Sequence, residues 1–127
     1  MIIGTGIDIV NIERFKKVVE RRKERFLKRV FTQKEQEYSF TKKDPYPHLA
    51  GRFAVKEAIF KALGTGLSNG IKWLDVEIIK EKSGKPVALI AGRTKEIMEE
   101  MGVTMVHIGI AHDYNYSIAN AILTGEA

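Results

Sequence analysis

Residues 53–66 read Phe53-Ala54-Val55-Lys56-Glu57-Ala58-Ile59-Phe60-Lys61-Ala62-Leu63-Gly64-Thr65-Gly66. Turned at about 100° per residue, a helix from about His48 to Leu63 carries apolar side chains nearly all round its axis. Such a helix is buried, and Gly64-Thr65-Gly66 stops it where glycine can take a left-handed cap. Its charges then need a reason. Arg52 and Lys56 stand four apart, and so do Glu57 and Lys61. One reading makes these helix pairs at the core edge, although only Glu57 and Lys61 carry opposite charges and would contribute about 0.2–0.5 kcal/mol. The other projects a carboxylate and an ammonium from a rigid element into a polar cleft. Charges seldom sit in apolar stripes without a partner, which favours the second reading.

The opening segment holds a similar oddity. Ile2 to Val10 alternates as a strand, with Ile3, Thr5, Ile7 and Ile9 on one face and Gly4, Gly6 and Asp8 on the other. Strands disfavour aspartate, and the two glycines are expected to leave open space on its face. Asp8 either caps a helix at the strand end or pairs with Glu57 as two hard oxygen ligands for Mg²⁺. In the second case Lys61, one turn beyond Glu57, would hold a phosphate as a point charge.

Between these segments, Asn11 is an N-cap signal for a helix running into a basic stretch, with Phe15, Val18, Val19, Phe26, Leu27 and Val30 on its buried side. Thr32 and Glu35 form a capping box that opens a short helix through Tyr38. Lys42 to Pro47 holds two of the three prolines and reads as a loop. Beyond the long helix, Asp75–Glu81 and Pro86–Ala91 form a hairpin, and Gly92–Met101 forms a helix. Strands at Met105–His112 and Tyr116–Leu123 complete the order. The sequence predicts one α+β domain over residues 1–127, with a largely antiparallel sheet on the long helix.

Composition narrows the function classes. The 127 residues include no cysteine, which excludes disulfides, Cys-ligated zinc, iron–sulfur centres and thiol catalysis. No apolar run approaches the roughly 20 residues needed to span a bilayer, and the N-terminus lacks the pattern of a secretory signal. A cytoplasmic setting is expected, without membrane association. The net charge of +5 is local: residues 13–29 hold nine bases and three acids, and the rest of the chain sums to −1. Such a segment is either a solvated helix face or a surface for a polyanion: nucleic acid, an anionic membrane or an acidic protein. It lacks zinc-finger ligands and an RNP-type aromatic motif, so a small nucleic-acid-binding module is the weaker alternative. Of the histidines, His48 sits at a helix entrance with no assigned role. His107 and His112 fall on opposite faces of one strand.

Gly4-Thr5-Gly6-Ile7-Asp8-Ile9-Val10, together with the 53–66 segment, closely resembles the short bacterial holo-[acyl-carrier-protein] synthases of the 4′-phosphopantetheinyl transferase superfamily. Ala50-Gly51-Arg52, Gly84-Lys85-Pro86 and His107-Ile108-Gly109-Ile110-Ala111-His112 extend the likeness over nearly the whole chain. The resemblance implies transfer of 4′-phosphopantetheine from coenzyme A to a serine of apo-acyl carrier protein, in support of fatty acid biosynthesis. It implies Mg²⁺ on Asp8 and Glu57, with Lys61 on the coenzyme A pyrophosphate. Arg52, with Lys42 and Lys43, would meet the 3′-phosphate; Gly64 and Gly66 would form the turn beneath the nucleotide; His112 would lie near it. Glu57 or His112 would take the serine proton. Arg14, Arg21, Arg22 and Arg25 would dock the acidic carrier protein, and the protein would assemble as a homotrimer with sites between subunits. In the last motif Ala111, Asp113 and Gly109 stand where the family usually has hydroxyl residues.

Overall fold

The computed structural model describes residues 1–126. Its elements are β1 (Ile2–Asn11), α1 (Ile12–Arg22), α2 (Glu24–Val30), α3 (Gln33–Phe40), α4 (Tyr46–Leu63), β2 (Val76–Lys80), β3 (Pro86–Ile90), α5 (Gly92–Met101), β4 (Met105–His112) and β5 (Tyr116–Thr124). The α+β class and the central helix follow the sequence. The strands divide differently, into an antiparallel three-stranded sheet ordered β1-β5-β4 and a separate β2-β3 hairpin. Asp8 pairs with Ala119 across β1 and β5, and His112 with Ser117 across β4 and β5.

α4 lies against the inner face of the larger sheet. Val55, Ala58, Ile59 and Phe60 are fully or almost fully buried and pack with Ala119, Ala121 and Leu123 of β5, Val76 and Ile78 of β2, and Ile97 of α5. A second cluster joins Ile12, Phe15 and Val19 of α1 to Val30, Phe31, Leu49 and Ala50. Pro47 falls inside the first turn of α4 instead of in the loop; a proline costs nothing there, since that amide has no helical partner. Gly64 caps the other end with φ 78°.

Three local expectations change. The space expected beside Gly4 and Gly6 is filled: a Cβ at either would collide with the carbonyl oxygen of Ala62 or Ala58. The glycines exist so that strand and helix can touch backbone to backbone. The basic segment is two helices, broken at Lys23 (φ 50°, ψ −132°), whose N–H closes on Val19 O. The break lets Phe26 and Val30 turn back onto the core, while Val18 is left exposed. Finally, neither i,i+4 pair on α4 forms. Lys56 reaches Glu35 at 2.7 Å, and Lys61 reaches Asp8 at 2.8 Å.

The outer face of the larger sheet is apolar and uncovered. Ile7 is 62% and Ile9 59% exposed, and Ile118 and Met105 lie open beside them. A shallow cavity of about 440 Å³ runs across this face, lined by Ile7, Ala111, Ile118 and Asn120. Asn120 Oδ1 would lie 2.6 Å from a Cβ at position 109, so Gly109 makes room for it.

Candidate active site

Two polar clusters sit on opposite sides of α4. Counting about 100° per residue, His48 and Arg52 share one side of the helix, and Glu57 and Lys61 project roughly 140–180° away.

The first cluster joins β1 to α4. Asp8 faces the helix from the middle of its strand, where the neighbouring glycines bring the two backbones together. Lys61 Nζ donates to Asp8 Oδ1 at 2.8 Å and to Ile7 O at 3.1 Å. The Lys61 side chain remains 54% exposed at the free edge of β1. Half-buried Glu57 forms no ion pair among the described residues. Burial, and then the negative charge of Asp8, push its carboxyl above the usual glutamate range, with Lys61 pulling the other way. Two neighbouring carboxylates, with hard oxygen donors and open access, fit a small divalent cation. No cluster of three or more His, Cys, Asp or Glu side chains exists among the described residues, so other donors would have to come from water or substrate.

From Asp8 a cavity of about 290 Å³ opens toward the basic helices, lined by Asn11, Arg14, Phe15, Phe26 and Phe53. Arg14, Arg21 and Arg22 are exposed on α1, and Arg25 is exposed on α2, beyond the Lys23 break. The Phe26 and Phe53 walls went unread in the sequence. Their apolar character signalled core, and only the fold turns them toward Asp8.

The second cluster is cationic and surrounds Tyr38. Arg52 is 5% exposed; its guanidinium lies 4.4 Å from the Tyr38 ring centre and donates to His48 O. Its Nε is buried without a hydrogen-bond partner. Lys42 and Lys80 approach the same ring at 4.8 and 5.7 Å. His48 stands edge-on between Tyr38 and His112, with ring centres 5.9 and 6.2 Å away. A narrow cavity of about 210 Å³ joins His48, Arg52, Lys80, Pro86 and His112. Desolvation, then Arg52, Lys42 and His112, hold His48 below its ordinary value. No carboxylate forms an ion pair with these cations among the described residues. The cluster is therefore built for an anion.

Arg52, Lys42 and His112 are thus brought together. Lys43 is exposed in the preceding loop and is not among the cations over the Tyr38 ring. Tyr38, His48 and Lys80 join the cluster although nothing in their sequence pattern pointed to a role. Asp113 turns its carboxylate onto Asn115 N and Tyr116 N, both at 2.8 Å, so it shapes the β4–β5 turn. Gly64 (φ 78°) and Gly66 (φ 58°) are both left-handed, with open space where a Cβ would stand.

Comparison with known proteins places these features in a family. The model of the 4′-phosphopantetheinyl transferase superfamily matches residues 4–119. The holo-[acyl-carrier-protein] synthase of Caldanaerobacter subterraneus subsp. tengcongensis is 44% identical over 125 residues, spanning 98% of this chain and 97% of that protein. The crystal structure of the Neisseria meningitidis holo-[acyl-carrier-protein] synthase superposes with a TM-score of 0.88 at 29% identity, covering 98% of this chain and 99% of that one. The Helicobacter pylori holo-[acyl-carrier-protein] synthase, solved in complex with coenzyme A, superposes with a TM-score of 0.83 at 33% identity, covering 94% and 99%. With a match of this extent and relatives of the same length, the chain belongs to the 4′-phosphopantetheinyl transferase superfamily.

Proposed function

We propose that this enzyme transfers 4′-phosphopantetheine from coenzyme A to a serine of apo-acyl carrier protein, dependent on Mg²⁺ and in support of fatty acid biosynthesis in the cytoplasm. The observation that carries the reading is the Asp8–Glu57–Lys61 group at the β1–α4 contact: two carboxylates and one exposed ammonium on rigid elements. A nucleic-acid-binding module leaves that group without a task.

In the reaction, the serine oxygen attacks the phosphorus bearing pantetheine, and the bond from that phosphorus to the bridging oxygen breaks. Adenosine 3′,5′-bisphosphate leaves. Asp8 and Glu57 would hold Mg²⁺, which when bound neutralises charge on the pyrophosphate oxygens. Lys61 supplies a further positive charge to the leaving phosphate. Glu57 takes the serine proton through one water; it stands beside Lys61 and forms no ion pair among the described residues. Arg52 and Lys42 take the 3′-phosphate, with His112 beside the nucleotide and the Gly64–Gly66 turn beneath it. Carrier protein docks on Arg14, Arg21, Arg22 and Arg25, and from Arg14 a cavity leads to Asp8.

The opposed directions of the two clusters and the uncovered face of Ile7, Ile9 and Ile118 support a homotrimer, with each site completed by a neighbour. A mass spectrum of apo-acyl carrier protein incubated with this protein, coenzyme A and Mg²⁺ tests the function. The carrier gains the mass of one phosphopantetheine. No gain with competent substrate would sink the reading.

A further inference from the structure

The basic side chains of the second cluster, Lys42, Arg52 and Lys80 among them as fixed charges, come from four different parts of the chain. Lys42 follows α3, His48 and Arg52 lie on α4, Lys80 ends β2 and His112 ends β4. Like charges gathered this closely repel one another, and only an arrangement that repays the repulsion keeps them there. Lys42, Arg52 and Lys80 all approach the ring of Tyr38. Its ring, half-buried in the last turn of α3, lies 4.4 Å from the Arg52 guanidinium carbon, 4.8 Å from Lys42 Nζ and 5.7 Å from Lys80 Nζ. A planar guanidinium stacks on such a face, and ammonium groups are drawn to it.

We infer that Tyr38 is a positioning residue: its ring holds Arg52, Lys42 and Lys80 about one point, and selection of a ligand carrying a phosphomonoester depends on that arrangement. The inference rests on the reading above, in which these cations meet the 3′-phosphate of coenzyme A. It adds to that reading a residue that need not touch the phosphate. The buried, unpartnered Nε of Arg52 agrees, because a guanidinium stacked on one face and short of a hydrogen-bond partner is poised for an incoming oxyanion. The phenol records the same surroundings. Burial alone would raise it, but Lys80, Lys42 and Arg52 outweigh burial and hold it below its ordinary value. Lys80, exposed at the end of β2, is linked to α3 through the Tyr38 ring.

Calorimetric titration of the full chain with coenzyme A and with dephospho-coenzyme A, which lacks the 3′-phosphate, provides the test. The wild-type protein prefers coenzyme A by at least about tenfold. Tyr38→Leu reduces that preference by about tenfold while dephospho-coenzyme A binds within about twofold of wild type; Tyr38→Phe, which keeps the ring, retains most of it. Two mild variants give an answer even if the leucine protein folds poorly. Tyr38→Met and Lys80→Met remove the same ring–ammonium contact, so their effects on the preference are less than additive in the double variant. Equal losses for both ligands, an unchanged ratio in Tyr38→Leu, or strict additivity overturns the inference. A wild-type protein that binds both ligands equally overturns the 3′-phosphate reading itself, which is a separate result.

Discussion

Lys56 Nζ lies 2.7 Å from Glu35 Oε1, with neither side chain exposed to solvent. The ammonium also donates to Val30 O, and Glu35 Oε2 accepts from Ile78 N, so one buried pair joins the end of α2, α3, α4 and β2. Desolvation pushes Lys56 below its usual value, and Glu35 opposes it. Lys56→Met strands the Glu35 carboxylate and lowers stability by about 3–5 kcal/mol in urea unfolding. Adding Glu35→Gln, which still accepts from Ile78 N, recovers part of the loss.

Removing the Asp8–Glu57–Lys61 group affects chemistry more than folding. Asp8→Ala, Glu57→Ala and Lys61→Met each lower kcat/KM for carrier-protein modification by about 10²-fold or more. Their melting temperatures shift little, because the exposed Asp8–Lys61 pair contributes at most about 1 kcal/mol. Steady-state assays beside thermal melts separate the two effects.

His48 should report coenzyme A binding as proton uptake. In the free protein, desolvation and then the neighbouring cations Arg52 and Lys42 hold it below its ordinary value. A bound phosphomonoester reverses that preference and favours the charged ring. Calorimetry near pH 6, in buffers of different ionisation enthalpy, finds protons taken up by the wild type and fewer by His48→Gln. Folding stability carries the matching sign. Between the depressed value and the ordinary one of about 6.5, the unfolded chain binds more protons, so stability falls as pH drops through that window.

The proposed docking on the arginines would be electrostatic and therefore sensitive to salt. Arg14→Glu and Arg21→Glu raise KM for acyl carrier protein about tenfold at low salt and leave kcat within about twofold. Raising ionic strength to about 0.5 M, where the screening length is only a few ångströms, reduces the difference.

The apolar sheet face gives the assembly prediction. Ile7→Asp or Ile118→Asp places a charge where a neighbour would cover the sheet, and each shifts sedimentation from trimer to monomer. Activity is lost with the trimer if sites are shared and is retained if each protomer is complete.

The sequence made the local features legible and left the distant ones dark. The Asn11 cap, the Thr32–Glu35 capping box and the Gly64 cap were readable because each is a contract between residues within four positions. Asp8 and Glu57 stood out because a charge in an apolar pattern is conspicuous wherever its partner lies. Lys23 gave no signal: the break comes from a positive φ on a residue type that rarely adopts one. The partners of Lys56 and Lys61 were misread as helical neighbours, since spacing along α4 says nothing of Glu35 or β1. Tyr38, His48 and Lys80 meet only when α3, α4 and β2 pack, which no periodicity encodes.

The contact of Gly4 and Gly6 with the carbonyls of Ala62 and Ala58 has a mechanical consequence. Where side chains separate two elements, the gap can be tuned one methylene at a time and drifts as the packing varies. Here bare backbone meets bare backbone, so the gap has a hard stop. The span from Asp8 to Glu57 is gauged by two missing methyl groups, and the smallest possible side chain at either position would act as a shim that resets it.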